Sequence, residues 1–455
     1  MTTRSTDATR FPRLPAGFTW GASTAAYQIE GAPDENGKGA SVWDTFVRRP
    51  GAVRDGHTGD IACDHHHRFA EDVALMRRLG LDAYRFSISW PRVLPTGAGK
   101  VEPRGLDFYD RLVDALLDAG IEPTPTLFHW DLPQALEDEG GWLSRGTAHR
   151  FAEYAAVVAE RLGDRVKRWI TLNEPFVHMS FGYAFGVHAP GRALMLDALP
   201  VAHHQLLGHG LATAALRAAV PDARILIANN CTPVRLRPDA RQDKDVAAAS
   251  AYDALHNGIF NDPLFTGSYP DLTAYGMADR SWGGVVRDGD LATISAPLDG
   301  LGVNYYNPTW VTAPADPAAG LPFDLAEPTE PYERTAFDWP VVPDGLTELL
   351  TGLKDRYGEA LPPVWITENG CSQPAGLHDR ARIDYLAGHI SAVADAVSLG
   401  VDVRGYFTWS LLDNFEWAEG YHQRFGLVEV DFATQRRTPR ASFAWYRDLI
   451  ASQRS

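Results

Sequence analysis

The chain has 455 residues, 45% of them hydrophobic and 22% charged, the balance of a globular protein that can bury a large core without disulfides or metals. Lys and Arg number 42 against 58 Asp and Glu, and the resulting net charge of −16 disfavours nucleic acid and anionic lipid as partners. Cys63, Cys231 and Cys371 are too few and too scattered for a disulfide framework or a CxxC metal site, so they read as reduced, buried thiols. The opening stretch MTTRSTDATRFPRLPAGF lacks the apolar run of a secretory signal, and no window approaches the roughly 18 apolar residues of a membrane span. A cytoplasmic protein is expected, with residues 1–10 flexible.

From there the chain alternates. The run FTWGAST near Phe18 predicts a first strand, and an amphipathic stretch at 69–80, closing on Gly80, predicts a helix. AYRFSISW is followed by a helix at 105–120, PTPTLFHW by one at 147–162, and RWITLNE by one at 198–219. RILIANN precedes a helix at 246–257, GLGVNYY one at 346–357, PVWITENG one at 383–399, and VRGYFTWS one at 442–450. The strand runs are mostly continuous rather than alternating, as parallel strands covered on both faces require. Strand then helix, eight times, predicts a single-domain α/β protein, a (β/α)8 TIM barrel at about 11–450 with extended βα loops. The Pro- and Asp-rich stretch 308–343 reads as one of those loops.

In such barrels chemistry gathers at the C-terminal ends of the strands. The first strand runs out into Tyr27-Gln28-Ile29-Glu30, and the second carries Arg85 and Trp90. The third ends in His129-Trp130-Asp131, the fourth in Asn173-Glu174, and the sixth in Asn304-Tyr305-Tyr306. The seventh ends in Glu368-Asn369, and the eighth in Trp409 before a loop with Asn414, Glu416 and Trp417. Amides, imidazole, carboxylates and indoles on one rim suit a polyhydroxylated ring, with hydrogen bonds to its hydroxyls and an aromatic face for its C–H side. No Gly-rich phosphate loop and no HExxH helix is present. Glu174 and Glu368 stand out as a pair. Cleaving a glycosidic bond needs one protonated carboxyl for the leaving oxygen, and one carboxylate that attacks the anomeric carbon or activates water.

Seven stretches in order, WGASTAAYQIEGA, YRFSISWPRV, FHWDLPQAL, TLNEP, GVNYY, ITENG and YFTWSLLDNFEWAEGY, give the chain a close resemblance to glycoside hydrolase family 1, the β-glucosidase family. The resemblance implies a retaining β-glycosidase acting on β-glucosides or cello-oligosaccharides, as in cellulose degradation, by double displacement through a covalent intermediate. Glu174 then looks like the acid/base and Glu368 like the nucleophile, with carboxyls about 5–5.5 Å apart. Arg85 and Tyr306 resemble the pair that keeps the nucleophile ionised. Asn173 matches the contact to the sugar 2-hydroxyl, and Gln28, His129, Glu416 and Trp417 match the holders of the remaining hydroxyls. Asn304 orders the same network, Trp409 resembles the stacking floor, Trp130 is placed for stacking, and Trp339 matches an aglycone position. No cofactor and no metal is implied.

Other features read plainly. His65-His66-His67 precedes a helix without a carboxylate at helical ligand spacing and reads as packing, and His203, His204 and His209 read as packing or surface histidines. A 6-phospho-β-glycosidase of the same family has a small residue at the Glu416 position and a Lys nearby, whereas NFEWAEGYHQRFG has Glu416 and no Lys. A non-catalytic sugar-binding relative lacks a catalytic carboxylate, and thioglycosidases have Gln where Glu174 stands.

Overall fold

Eight parallel strands close into a barrel in strict chain order in the computed structural model, which describes residues 11–237, 242–275, 282, 284–316 and 320–454. They are β1 (Thr19–Ser23), β2 (Ala83–Ser87), β3 (Glu122–Phe128), β4 (Arg168–Asn173), β5 (Arg224–Asn230), β6 (Gly300–Asn304), β7 (Val364–Asn369) and β8 (Val403–Trp409). Every strand expected from the sequence is present. The expectation for residues 1–10 lies outside the described residues.

The barrel is filled by side chains. Ala83, Ile170, Leu226, Ala228, Trp365 and Phe407 form a cluster of their own. Glycine makes room for its two large rings: a Cβ at Gly21 would come within 2.2 Å of Phe407, and one at Gly300 within 2.3 Å of Trp365. Pro123 and Pro125 lack ladder donors. Accordingly β3 pairs with β2 along Glu122–Thr126, but with β4 only at Thr126 and Phe128.

The outer layer comprises α1 (His65–Leu79), α2 (Pro103–Asp118), α3 (Arg145–Leu162), α4 (Leu199–Ala219), α5 (Asp243–Asp253), α6 (Pro343–Tyr357), α7 (Arg380–Ser398) and α8 (Ala441–Gln453). Pro103 opens α2 where no N–H is needed, and Gly80 ends α1 at φ 75°. The helix expected at 246–257 stops at Asp253 and continues as a π-turn, Ala254–Gly258. The stretch 308–343 is not only loop: Thr309–Thr312 and Asp324–Ala326 join Val234–Leu236 in a small three-stranded sheet. A hairpin, Val428–Asp431 with Arg436–Pro439, was also not expected. Among the described residues no helix is long and apolar enough to cross a membrane.

Candidate active site

The two carboxylates sit where the barrel's regular pairing breaks. The register of β7 against β6 shifts between Ile366 and Glu368, and that of β4 against β5 shifts between Ile170 and Asn173. Such irregularities re-aim side chains at barrel rims. Glu174, the first residue past β4, is held at φ 44°, ψ 60°, a left-handed conformation that a glutamate adopts only under constraint from its surroundings.

Both groups are buried, and their partners differ in kind. Glu368 Oε1 accepts from Arg85 Nη1 at 2.7 Å, and Oε2 accepts from the Tyr306 hydroxyl at 2.8 Å. Burial holds its pKa above the usual carboxylate value, with Arg85 and Tyr306 pulling against that rise. Glu174 has amides alone: Asn230 Nδ2 and Asn304 Nδ2 both donate to Oε1 at 3.0 Å. Burial first and the Glu368 charge second push its pKa up to about 8. The arrangement favours an ionised Glu368 facing a protonated Glu174.

Arg85 ties the pair together. Its Nη2 donates to Asn173 Oδ1 at 2.6 Å, and Asn304 Nδ2 donates to the same oxygen at 2.9 Å. With its oxygen taken, Asn173 turns its Nδ2 to His129 Nε2 at 3.0 Å. His129 stays neutral, because burial and then Arg85 lower its pKa well below the usual value. Its Nδ1 is buried without a partner. The amide of Asn304 is itself fixed by the Thr367 hydroxyl, which donates to Oδ1 at 2.7 Å.

On the opposite wall Gln28 Nε2 donates to Asn414 Oδ1, the Phe415 carbonyl and Glu416 Oε2 at 3.1, 3.0 and 3.3 Å. Gln28 Oε1 is buried and unpartnered, an acceptor kept in reserve. Burial, then Glu368 and Glu174, push the Glu416 pKa up to about 8. Trp417 packs on Trp43 and Trp130, with ring centroids 4.6 Å apart in each pair. Trp409 clusters with Phe425, Tyr306, Phe337 and Trp339, and Trp339 stacks on Phe337 at 4.4 Å.

A cavity of about 760 Å³ opens over these groups. His129, Trp130, Glu174, Tyr306, Trp339, Glu368, Trp409, Glu416 and Trp417 line it, and Gln28, Arg85, Asn173 and Asn304 bond to the lining groups of Glu416, Glu368, His129 and Glu174. Sequence reasoning missed Asn230, which bonds Glu174 and is braced in turn by His256 Nε2 at 2.9 Å. It is the last residue of β5, so the strand-end rule, applied to that strand too, finds it. It also missed Phe176, which stacks on His256 at 3.8 Å.

The histidine run is more than apolar packing. His65 Nδ1 bonds Asp72 at 2.7 Å, and Arg437 closes on the same carboxylate at 2.9 Å. His67 lies between Asp64 and Glu35, at 2.6 and 3.0 Å. Two of these carboxylates do stand at helical spacing, contrary to expectation, Asp64 three residues before His67 and Asp72 two turns after His65, and only Glu35 comes from a distant loop. In α4, His203 bonds Asp290 at 2.9 Å and His209 bonds Thr171 at 2.6 Å, both fully buried.

Comparison with known proteins agrees with this geometry. The family model for glycosyl hydrolase family 1 matches residues 11–455. A thermostable β-glucosidase B of Thermobispora bispora is 50% identical over 98% of this chain and 92% of its own length. The crystal structure of a psychrophilic β-glucosidase from Micrococcus antarcticus superposes with a TM-score of 0.93 at 47% identity, covering 97% of this chain and 98% of that one. The β-glucosidase of Thermotoga maritima in complex with deoxynojirimycin gives 0.91 at 42% identity, covering 97% and 99%. A (β/α)8 barrel with two unequal buried carboxyls at its rim, matched along its whole described length, places this chain in glycosyl hydrolase family 1, to which it belongs.

Proposed function

We propose that the chain is a retaining β-glucosidase that releases terminal non-reducing β-D-glucosyl residues from β-glucosides or cello-oligosaccharides, with Glu174 as acid/base and Glu368 as nucleophile. The observation that carries the assignment is the contrast between the partners of two buried carboxyls: a guanidinium and a phenol for Glu368, amides alone for Glu174. Glu174 gives its proton to the leaving oxygen while Glu368 attacks the anomeric carbon, breaking the glycosidic bond and forming a glycosyl ester. Loss of the Glu368 charge then removes the repulsion that kept Glu174 protonated. Glu174 takes a proton from water, the oxygen of that water attacks the anomeric carbon, and Glu368 leaves as carboxylate. Two inversions give retention.

Gln28 Oε1 and His129 Nδ1, both buried and unpartnered, suit the glycone hydroxyls, together with Glu416 and Trp417. Asn173 serves the 2-hydroxyl, Asn304 orders Asn173 and Glu174, and Trp409 lies beneath the ring. Trp130, packed on Trp417, is placed to stack on the sugar, and Trp339 extends the aromatic wall towards the aglycone. β-Galactosides and β-fucosides are secondary substrates. A cytoplasmic setting fits the three buried free thiols Cys63, Cys231 and Cys371, and the net charge of −16 speaks against nucleic acid or membrane partners. A role in cellulose degradation follows from the substrate class.

The test is hydrolysis of chromogenic β-glycosides with and without a 6-phosphate. Turnover of the unphosphorylated β-glucoside with retention at C1 is expected. Preference for the 6-phosphoglucoside, or an inverted product, overturns the reading.

A further inference from the structure

Two groups of histidine and carboxylate side chains among the described residues bring their ligand atoms within 4.8 Å of one another, and neither lines the catalytic cavity. They are Glu35 with His66 and His67, and Asp55 with His57 and His422. Their tautomers separate them. The Tyr421 N–H donates to His57 Nδ1 at 3.2 Å, so a neutral His57 carries its proton on Nε2 and has no lone pair to spare. In the other group His67 Nδ1 donates to Asp64 Oδ1 at 2.6 Å, and Asp64 is itself held by Arg68 Nε at 3.1 Å. His67 Nε2 is thereby turned to Glu35 Oε2 at 3.0 Å. A carboxylate behind one ring nitrogen, with the other facing a ligand, is the arrangement in which metal-binding histidines are held.

His66 is prepared in a different way. It is 4% exposed, its N–H donates to the Glu30 carbonyl at 3.1 Å, and its ring packs on Phe108 with centroids 4.4 Å apart. Burial, then Arg92, push its pKa down to about 3, so the imidazole stays neutral and one nitrogen keeps a lone pair. Nε2 meets the Asn36 side-chain amide at 3.0 Å, and Nδ1 is buried without a partner. The guanidiniums nearby are committed, Arg68 to Asp64 and Glu71, Arg92 to Glu30, and Arg111 to the Asp107 carbonyl. The start of α1 opposes a cation with about half an elementary charge, against the two full charges of Glu35 and Asp64.

We propose that Glu35, His66 and His67 form a site for one divalent transition-metal ion of the zinc, nickel or copper class, which ties the loop that follows Glu30 to the first turn of α1. Two imidazoles and one carboxylate select these ions over Mg²⁺ and Ca²⁺, which require oxygen ligands. The ion replaces the proton that His67 Nε2 shares with Glu35; that proton passes to solvent, and the Nδ1 proton stays with Asp64. Glu35 and His67, with side chains 51% and 49% exposed, are free to draw in around the ion while the buried His66 holds its place.

The experiment is calorimetric titration of the full chain with ZnCl₂ at neutral pH, with thermal unfolding in parallel. One equivalent of Zn²⁺ is expected to bind and to raise Tm, and Mg²⁺ to do neither. Glu35→Gln and His67→Ala, at exposed positions where folding is undemanding, should each weaken binding tenfold or more. Asp64→Asn keeps the left-handed N-cap, at φ 52°, which asparagine tolerates, and leaves all three ligands in place. It should still weaken binding, by about 10- to 100-fold, because His67 loses the group that orients it. His66→Phe keeps a ring against Phe108 and should abolish the rise in Tm, its Tm in a chelator reporting the fold. No binding of Zn²⁺, Ni²⁺ or Cu²⁺ overturns the inference. So does binding that Glu35→Gln and His67→Ala leave unchanged, or binding lost instead in His422→Ala or Glu368→Gln, which assigns the ion to the other histidine group or to the catalytic carboxyls.

Discussion

Asn304 meets Glu174 at Oε1, 3.0 Å from its Nδ2, and Asn230 adds a second amide to the same oxygen. Both donors occupy Oε1, so in the acid/base role proposed above the proton of the neutral acid sits on Oε2, the oxygen left for the leaving group. The amides fix which oxygen acts without supplying charge that would ionise it.

The pH profile of kcat/KM should be bell-shaped, with the acid limb from Glu368 and the basic limb from Glu174, near the value of about 8 to which burial and Glu368 push it. Glu174→Gln should abolish the basic limb. Asn230→Ala removes a bond that favours the charged form and should move that limb upward by about half a unit. A basic limb that persists in Glu174→Gln removes Glu174 from the acid role.

Stereochemistry separates the two roles. In Glu174→Ala the first step should survive for substrates with good leaving groups, the glycosyl ester should accumulate, and azide should enter from the β face to give a β-glycosyl azide. In Glu368→Ala azide should attack an activated β-glycoside directly and give the α-glycosyl azide. Proton NMR of the products decides, and the reverse pairing exchanges the assignments.

Glu416→Ser should weaken glucoside hydrolysis by about 10²-fold, the loss of a charge-assisted hydrogen bond to the glycone. It should also raise the ratio of 6-phosphoglucoside to glucoside turnover, because the repelling carboxylate is gone. Unchanged selectivity would show that Glu416 does not touch the ring.

Stability should carry the imprint of the site. A carboxyl whose pKa is raised on folding keeps its proton after the unfolded chain has released its own, so stability falls as pH rises from about 4.5 towards 8. Glu174→Gln should therefore stabilise the fold, by on the order of 2 kcal/mol at pH 8 and by little at pH 4. Thermal unfolding at the two pH values measures the difference, and equal shifts at both would contradict it.

Behind the Glu416 loop, Arg440 donates to both oxygens of Asp413 at 2.8 and 2.7 Å, with both side chains fully buried. Arg440→Ala should cost about 3 kcal/mol, because the buried Asp413 carboxylate keeps only the Gly426 N–H and, as a cation, the more exposed Arg424. Activity should fall as well, since Asn414 and Glu416 follow in the same loop. A loss under about 1 kcal/mol in denaturant unfolding would count against this.

The barrel was legible because its strands are covered on both faces and so are continuously apolar, a pattern that short stretches like Val234–Leu236 and Asp324–Ala326 lack. Those are three residues long and half-exposed, and Val234–Leu236 pairs with the distant Thr309–Thr312, whose other edge takes Asp324–Ala326. Glu174 and Glu368 were legible because they stand at strand ends, whereas Arg85 lies mid-strand and Gln28 and Glu416 lie beyond their strands, and these took the motifs around them to find. The bond between His65 and Asp72 is local, but the brace from Arg437 spans 365 residues and has no signature in sequence. Phe181 lies in the π-helix His178–Ala184 and Phe185 directly after it, where the wider turn departs from ordinary helical spacing.

The barrel closes where β1 meets β8, from Thr19 opposite Gly405 to Ser23 opposite Trp409, and the Phe415 N–H to Gln28 carbonyl bond at 3.0 Å continues that seam outward. Gln28 and Glu416 stand on its two sides. A glucosyl ring gripped by both becomes a clasp across the one junction that joins the first strand to the last, and binding energy spent there resists opening of the ring of strands. Amide hydrogens of β1 and β8 should consequently exchange more slowly with an inhibitor in place, while those of β4 and β5, on the far side of the barrel, should show the smaller change.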